Sequence, residues 1–442
     1  MITPTFELPD IERRSRWGWV LVLTVLGMLI ALANAVYLSQ NKYDVLIRSY
    51  VTGAEQGGLF GGPQVSKAEL KRALAEIEAE SNGPRDNVLY SITIRDLLDM
   101  EPRPRDLDVL RDREETEAGV LYQIYSDEKL TPKEARDLAK HLDEGGPFAL
   151  QVAKRRAYEK AGVTEEAPAK PDQQRIQRAG IVTILTMLVG VGIWIVYGVR
   201  RSQGKLPVVG LPEGRISLAA GDRHAARAGI MLLSWILIQI ALVAVAGTIP
   251  EIAMYMIQGI TLGLLAVCLI PYIAIGGRTL GASGLGLGKL ERTHILWGLL
   301  ALPALWATFA VLMPLSLIVF RGLPPPQSPI SFEAGGATGL WSIVGVFVSV
   351  SLIAPVWEEI TFRGLLFPAY TGALRSPAAG IVLSSLSFAA IHSTGIPAWP
   401  MLAAVGAMCA ILYYHTGSLW SAIFLHAFHN AFTLAISLIA LG

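Results

Sequence analysis

Long apolar runs alternate with short polar loops along most of this chain, interrupted once by a block dense in charge. Runs of about 20 apolar residues are long enough to cross a bilayer as helices. Nine such segments are expected, near 17–38, 179–198, 228–247, 253–274, 294–320, 340–370, 377–394, 398–415 and 418–440. The sixth exceeds one crossing, so it must tilt, bend or run into the interface. The pattern predicts an all-α, polytopic membrane helical bundle of about nine transmembrane helices, with one soluble, mostly helical insert outside the cytoplasm.

The insert occupies 39–177 and has no spanning run. Its helices carry their own start signals. "SKAELKRALAEIEAE" places Ser66 and Glu69 at capping-box spacing, with Leu70, Leu74 and Ile77 on one face. "TPKEARDLAKHLDEGG" repeats the device with Thr131, Pro132 at the first helical position, and Glu134. The block tails off in "EEAPAKPDQQ" at 165–174. Its charges fit a solvated surface, and it carries no catalytic constellation. The segment before it comes after "IERRSRW" and contains "ANA" at 33–35, so it is a membrane anchor or a cleaved signal, and either exports the insert. The expected divisions are 1–38 as N-terminal tail and anchor or signal, 39–177 as insert, 178–275 as accessory membrane helices, and 276–442 as the core that carries the chemistry.

Composition agrees with a membrane protein. Hydrophobic residues make up 52% of the 442 and charged residues 17%, and the net charge of +1 gives no case for a nucleic-acid partner. The lipid bilayer is the expected surrounding. Cys268 and Cys409 lie in separate apolar runs, which suits small core residues rather than a disulfide. Basic residues in short loops set the orientation. Arg13, Arg14 and Arg16 precede the first segment, Arg200, Arg201, Lys205, Arg215, Arg223 and Arg227 follow the second, Arg278, Lys289 and Arg292 follow the fourth, and Arg363 and Arg375 lie near the turn after the sixth. Nine crossings put all four groups on the cytoplasmic side, with the insert and the C-terminus outside. The expected location is a cell membrane, the bacterial inner membrane, with the chemistry reached from the cytoplasmic side.

Three ionisable groups follow the apolar run "GLWSIVGVFVSVSLIAPV" in "WEEITFRG". Charge at membrane depth is costly and marks function by default. Glu359 and Arg363 are four apart on a helix and can pair. Glu358 lies about 100° round the axis and is left without that partner, available as a general base. His392 lies in "SFAAIHS", one turn after Phe388. His426, His429 and Asn430 lie in "FLHAFHNAF", with His426 and Asn430 on one face and His429 at its edge. At 1.5 Å per residue, Glu358 falls roughly 20 Å, His392 roughly 22 Å, His426 about 12 Å and Asn430 about 18 Å from the nearest predicted turn. One layer therefore holds all four.

"EEITFRG", "FAAIH" and "HAFHN" resemble, in order, the three motifs of the CPBP intramembrane endopeptidases, the family of CAAX proteases, bacteriocin-processing enzymes and Abi proteins. The resemblance covers about 340–440 closely, and "GLGLGKLER" with the fifth helix resembles the usual lead-in. It implies a peptidase acting on prenylated CAAX proteins or other peptides at the membrane. It implies that Glu358 and His392 activate water and that His426 and Asn430 hold the oxyanion. His429, inside the third motif, and the insert at 39–177 depart from the family pattern.

The residue chemistry agrees with hydrolysis, since carboxylate and imidazole can deprotonate water while imidazole and amide N–H groups receive an oxyanion. No cofactor is required by that scheme. The alternative is a zinc ion on Glu358, His392 and His426 with a bound water, although the H-E-x-x-H zinc helix is absent. Two rivals come from other classes. "GASG" at 281–284 is similar to the serine motif of rhomboid proteases, but the glycine-rich charged loop after it would leave Ser283 in water. A non-catalytic transporter or immunity factor would use the same polar cluster for binding.

Overall fold

The computed structural model describes residues 17–39, 42–55, 66–79, 87–111, 116–142, 148–163, 173–206, 208–211, 218–245, 285–320 and 340–441. These residues are helical wherever they are regular. The fourth predicted span, Cys268, the "GASG" stretch and Arg13, Arg14, Arg16, Arg215 and Arg278 lie outside the described residues.

The chain divides into two compact units. One contains the charged block, built from α2 (Lys42–Glu55), α3 (Lys67–Ala79), α4 (Asn87–Leu97), α5 (Pro104–Arg111), α6 (Thr116–Ser126), α7 (Pro132–Lys140) and α8 (Phe148–Lys160). Both expected capping boxes are present. Ser66 Oγ accepts from the Glu69 N–H at 3.2 Å, and Glu69 Oε2 accepts from the Ser66 N–H at 2.7 Å. Thr131 and Glu134 exchange the same pair at 3.3 and 2.8 Å. These bonds satisfy N–H groups that a helix start leaves without partners. The predicted stripe of Leu70, Leu74 and Ile77 is buried against Ile47 and Tyr90. A second core gathers Leu110, Leu121, Ile124 and Leu138. Helices α4 and α8 serve both cores, because Tyr90 and Val152 face one while Ile92 and Leu150 face the other.

The other unit is the apolar one. It holds all or most of α1 (Trp17–Ser39), α9 (Gln173–Ser202), α10 (Leu218–Val245), α11 (Arg292–Val319), α12 (Leu340–Val346), α13 (Ala354–Glu359), α14 (Phe367–Leu374), α15 (Pro377–Ala390), α16 (Trp399–Thr416) and α17 (Leu419–Leu441). Six helical stretches among the described residues are long and apolar enough to cross a membrane, and the fourth of the nine expected segments lies outside those residues. Of the rest, α10 covers the third predicted segment, and α15, on the seventh, runs for only 14 residues. Leu185, Leu188 and Ile195 on α9, and Val311 and Leu315 on α11, are each more than half exposed. Such an exterior suits hydrocarbon. Gly298 of α11 brings that helix against α17, where a Cβ would stand 2.7 Å from the Phe424 Cβ and 2.8 Å from the Leu425 nitrogen.

The long sixth segment shows how it accommodates its length. Helices α12, α13 and α14 are one continuous rod, joined by two wider π-helical stretches, Phe347–Ile353 and Ile360–Leu366. Each π stretch ends one residue before a proline-bearing turn, at Pro355 and at Pro368. The physical reason is steric. A proline ring collides with the carbonyl four residues back, Ser351 or Gly364, and has no N–H to offer it. Widening the preceding turn to i→i+5 pairing removes the collision without ending the helix. Accordingly the Ala354 N–H donates to Ser349 O, and the Phe367 N–H to Phe362 O, both five residues back.

Candidate functional site

The two glutamates sit on α13, the six-residue segment between the π stretches. Its first proline-bearing turn and the wider second stretch set where their side chains emerge. Trp357, beside them, stacks on Trp235 of α10 at 6.1 Å between ring centroids, which holds α13 against that helix.

Glu359 and Arg363 form the pair expected from their spacing. Arg363 Nη1 donates to Glu359 Oε1 at 3.0 Å, and both side chains are 0% exposed. Burying two charges is tolerable only where their polar atoms find partners. Arg363 Nε also donates to Gly406 O at 3.3 Å, and its Cζ lies 4.6 Å above the centre of the Phe388 ring. Gly406 matters because a Cβ there would stand 2.7 Å from Arg363 Nη2. The guanidinium fills the room that the missing side chain leaves.

Glu359 has a second partner that sequence spacing does not announce. His426 of α17 places Nδ1 2.8 Å from Glu359 Oε1, the same oxygen that Arg363 holds. A carboxylate already paired with a guanidinium accepts, so Nδ1 carries the hydrogen and donates. The other ring nitrogen, Nε2, faces Glu358 Oε2 at 3.5 Å, longer than a tight hydrogen bond. Arg363, Glu359, His426 and Glu358 therefore form one connected row. Glu358 is its open end, with 18% of its side chain exposed against 0% for Glu359.

His392 follows the C-terminus of α15 and is half-buried. Its Nδ1 lies 2.7 Å from Phe388 O. A carbonyl only accepts, so Nδ1 donates and Nε2 keeps its lone pair in the neutral ring. Phe388 organises both histidines. Its ring meets His392 edge-on at 4.8 Å and His426 at 5.6 Å, while Arg363 covers it. His392 also lies within electrostatic reach of Glu358 and His426.

Asn430 and His429 are placed differently. Asn430 is on the His426 face of α17, and its Nδ2 donates to Val350 O in the first π stretch at 2.7 Å. His429 turns away toward α11, edge-on to Phe309 at 5.5 Å and tilted against Trp306 at 5.9 Å. Its Nδ1 is buried with no hydrogen-bond partner. It belongs to an aromatic cluster, not to the row.

The donor types would suit zinc, with a carboxylate and two imidazoles that each use Nδ1 elsewhere. The arrangement does not. Among the described residues, no three histidine, cysteine, aspartate or glutamate side chains come together closely enough to hold a metal ion.

Residues 340–432 match the family model described as Type II CAAX prenyl endopeptidase Rce1-like. The match spans Glu358, Glu359, Arg363, His392, His426 and Asn430, and it supports a likeness of this part of the chain to the CPBP/CAAX proteases. No curated protein matches the chain, and no solved structure does.

Proposed function

We propose that this multi-pass membrane protein, whose residues 340–432 match the CAAX prenyl endopeptidase family model, is an intramembrane endopeptidase in which glutamate and histidine activate water. The observation that carries the proposal is the buried row Arg363–Glu359–His426–Glu358, open only at Glu358. A purely structural ion pair would need Glu359 and Arg363 alone. A second glutamate and two histidines in the same apolar surroundings are costly, which favours a chemical use.

Glu358, the exposed member, takes a proton from water. The Nε2 lone pair of His392 accepts the water's other hydrogen and orients it. The resulting hydroxide attacks the scissile carbonyl carbon, a C–O bond forms, and the carbonyl π electrons move to oxygen. Donors aimed at that oxygen stabilise it, and losing one such donor typically slows a reaction about 10²–10³-fold. His426 Nε2, when its ring carries a second proton, is the candidate, while the Asn430 amide is held on Val350 O. As the C–N bond breaks, Glu358 returns its proton to the leaving nitrogen. Glu359 orients His426 through Nδ1, and Arg363 holds Glu359. None of these proton transfers is routed through a metal.

The substrate proposed is a peptide or protein at the membrane whose C-terminus is a prenylated Cys-aliphatic-aliphatic-Xaa sequence. The site is proposed to open to the cytoplasm of a bacterial cell, following the basic loops. The direct test is to reconstitute the chain in liposomes with an internally quenched peptide ending in farnesyl-Cys-Val-Leu-Ser. Release of the last three residues, read by mass spectrometry, supports the proposal. An intact peptide at saturating concentration supports the rival, a transporter or immunity factor that uses the same cluster for binding.

A further inference from the structure

The carbonyl of Val350 has lost both of its ordinary helical donors. In α-helical pairing it would accept from the Ala354 N–H, but that N–H donates to Ser349 O. In π-helical pairing it would accept from residue 355, which is proline and has no N–H. A carbonyl without a donor is destabilising at membrane depth, where no water replaces the lost N–H. The amide of Asn430 fills the place, with Nδ2 2.7 Å from Val350 O.

That bond joins two elements that must be in register for the site to exist. Asn430 lies one turn after His426 on α17, and Val350 lies about two turns before Glu358 on the rod. The same face of α17 thus holds the rod at Val350 through Asn430 and at Glu359 through His426. If Val350 O loses its donor, the chain can recover one only by rewinding between 350 and 358. Each residue of register turns the rest of the rod by about 100°. Glu358 would then leave His426.

We infer that Asn430 is a positioning residue for Glu358: it caps the carbonyl that Pro355 orphans and so fixes the junction between the π stretch and α13. The inference rests on the endopeptidase reading for its activity measurement, but its structural half does not. It also gives Pro355 a role beyond bending the helix. Pro355 makes the rod dependent on a donor from α17.

The two residues can be tested against each other. Asn430→Ala removes the cap. Pro355→Ala gives residue 355 an N–H that can reach Val350 O within the rod. If Asn430 acts through Val350, the second change rescues the first. If Asn430 acts only on a substrate oxyanion, no change at 355 can replace it. The variants are Asn430→Ala, Pro355→Ala and their combination in the full chain. They are assayed for kcat and KM on the farnesyl-Cys-Val-Leu-Ser peptide and for thermal midpoint in detergent. Asn430→Ala should lower kcat about tenfold, the scale of one acceptor left unpaired, with KM unchanged and a lower midpoint. Pro355→Ala should stay near wild type, and the combination should recover both kcat and midpoint. A combination as slow as Asn430→Ala overturns the inference, and so does recovery of the midpoint without kcat. Asn430→Asp is a further check should the combination fold poorly. It sets an acceptor against an acceptor and should be at least as damaging as Asn430→Ala, so wild-type kcat and midpoint there would also overturn the inference. If the wild type leaves the peptide intact, the endopeptidase reading fails, and the midpoint cycle alone decides the cap at Val350.

Discussion

Arg363→Met would remove a guanidinium with 0% exposure and leave a side chain of similar length. The loss comprises the 3.0 Å bond to Glu359, the 3.3 Å bond to Gly406 O and the stacking over Phe388. The larger effect is on the groups that stay behind. Glu359, also fully buried, would lose its guanidinium partner and keep the His426 Nδ1–H bond, and its Oε2 already has no hydrogen-bond partner. Breaking a buried pair by removing one partner typically costs about 3–5 kcal/mol. The remaining His426 contact at 2.8 Å offsets part of that, so the expected loss is about 3 kcal/mol, at the lower end. Thermal unfolding in detergent, followed by tryptophan fluorescence, reads it, with folded yield in membranes as a second measure. Glu359→Gln combined with Arg363→Met removes both charges and should recover much of the lost stability. Arg363→Met with wild-type yield and melting temperature, losing activity alone, would refute the reasoning, because the arginine would then not hold the buried carboxylate.

Gly406→Ala places a methyl 2.7 Å from Arg363 Nη2 and 2.9 Å from Ser385 Cα, so it should cost about 1–3 kcal/mol and lower activity with it; an unaffected melting temperature would mean that the guanidinium docks elsewhere. His429→Phe should leave peptide cleavage near the wild-type rate, since the ring packs on Trp306 and Phe309 and its Nδ1 has no partner; loss of cleavage in a folded variant would return His429 to the chemistry. The basic loops predict that 39–177 and Gly442 lie outside the cytoplasm, so a reporter active only in the cytoplasm should stay silent when fused after Gly442, and a signal would overturn the nine-crossing count.

Local spacing makes part of this site legible in the sequence. Glu359 and Arg363 pair because residues four apart share a helix face, and Ser66–Glu69 and Thr131–Glu134 cap because three-residue spacing brings side chain to backbone. Contacts between elements are not legible in that way. Nothing local to Glu359 announces His426, which comes from a helix 67 residues on. His429 shares the motif with His426, yet packing against α11 turns it away. The two prolines of the sixth segment are the signal that hydropathy alone passes over. Pro355 and Pro368 lie inside an apolar run too long for one crossing, and a proline inside a helix must bend or widen it. The widening, the orphaned Val350 carbonyl and the Asn430 cap all stem from Pro355, but only once the position of α17 is known. The seventh segment looks like a full crossing in sequence because its apolar composition continues past Ala390, whereas the chain turns at His392 to Gly395, where φ is 81°.

The proposed mechanism turns on Glu358 taking the proton from water. Glu358→Gln keeps the size and one acceptor but cannot take a proton, and the row behind it, from His426 to Arg363, is untouched. The decisive quantity is the single-turnover rate of cleavage of the farnesyl-Cys-Val-Leu-Ser peptide by wild type and Glu358→Gln in liposomes, with and without a chelator. Melting temperature and peptide binding are measured on the same preparations. The expected outcome is a folded variant that binds the peptide and does not cleave it, and a wild-type rate that the chelator leaves unchanged. Cleavage by Glu358→Gln at the wild-type rate would contradict the role given to this carboxylate.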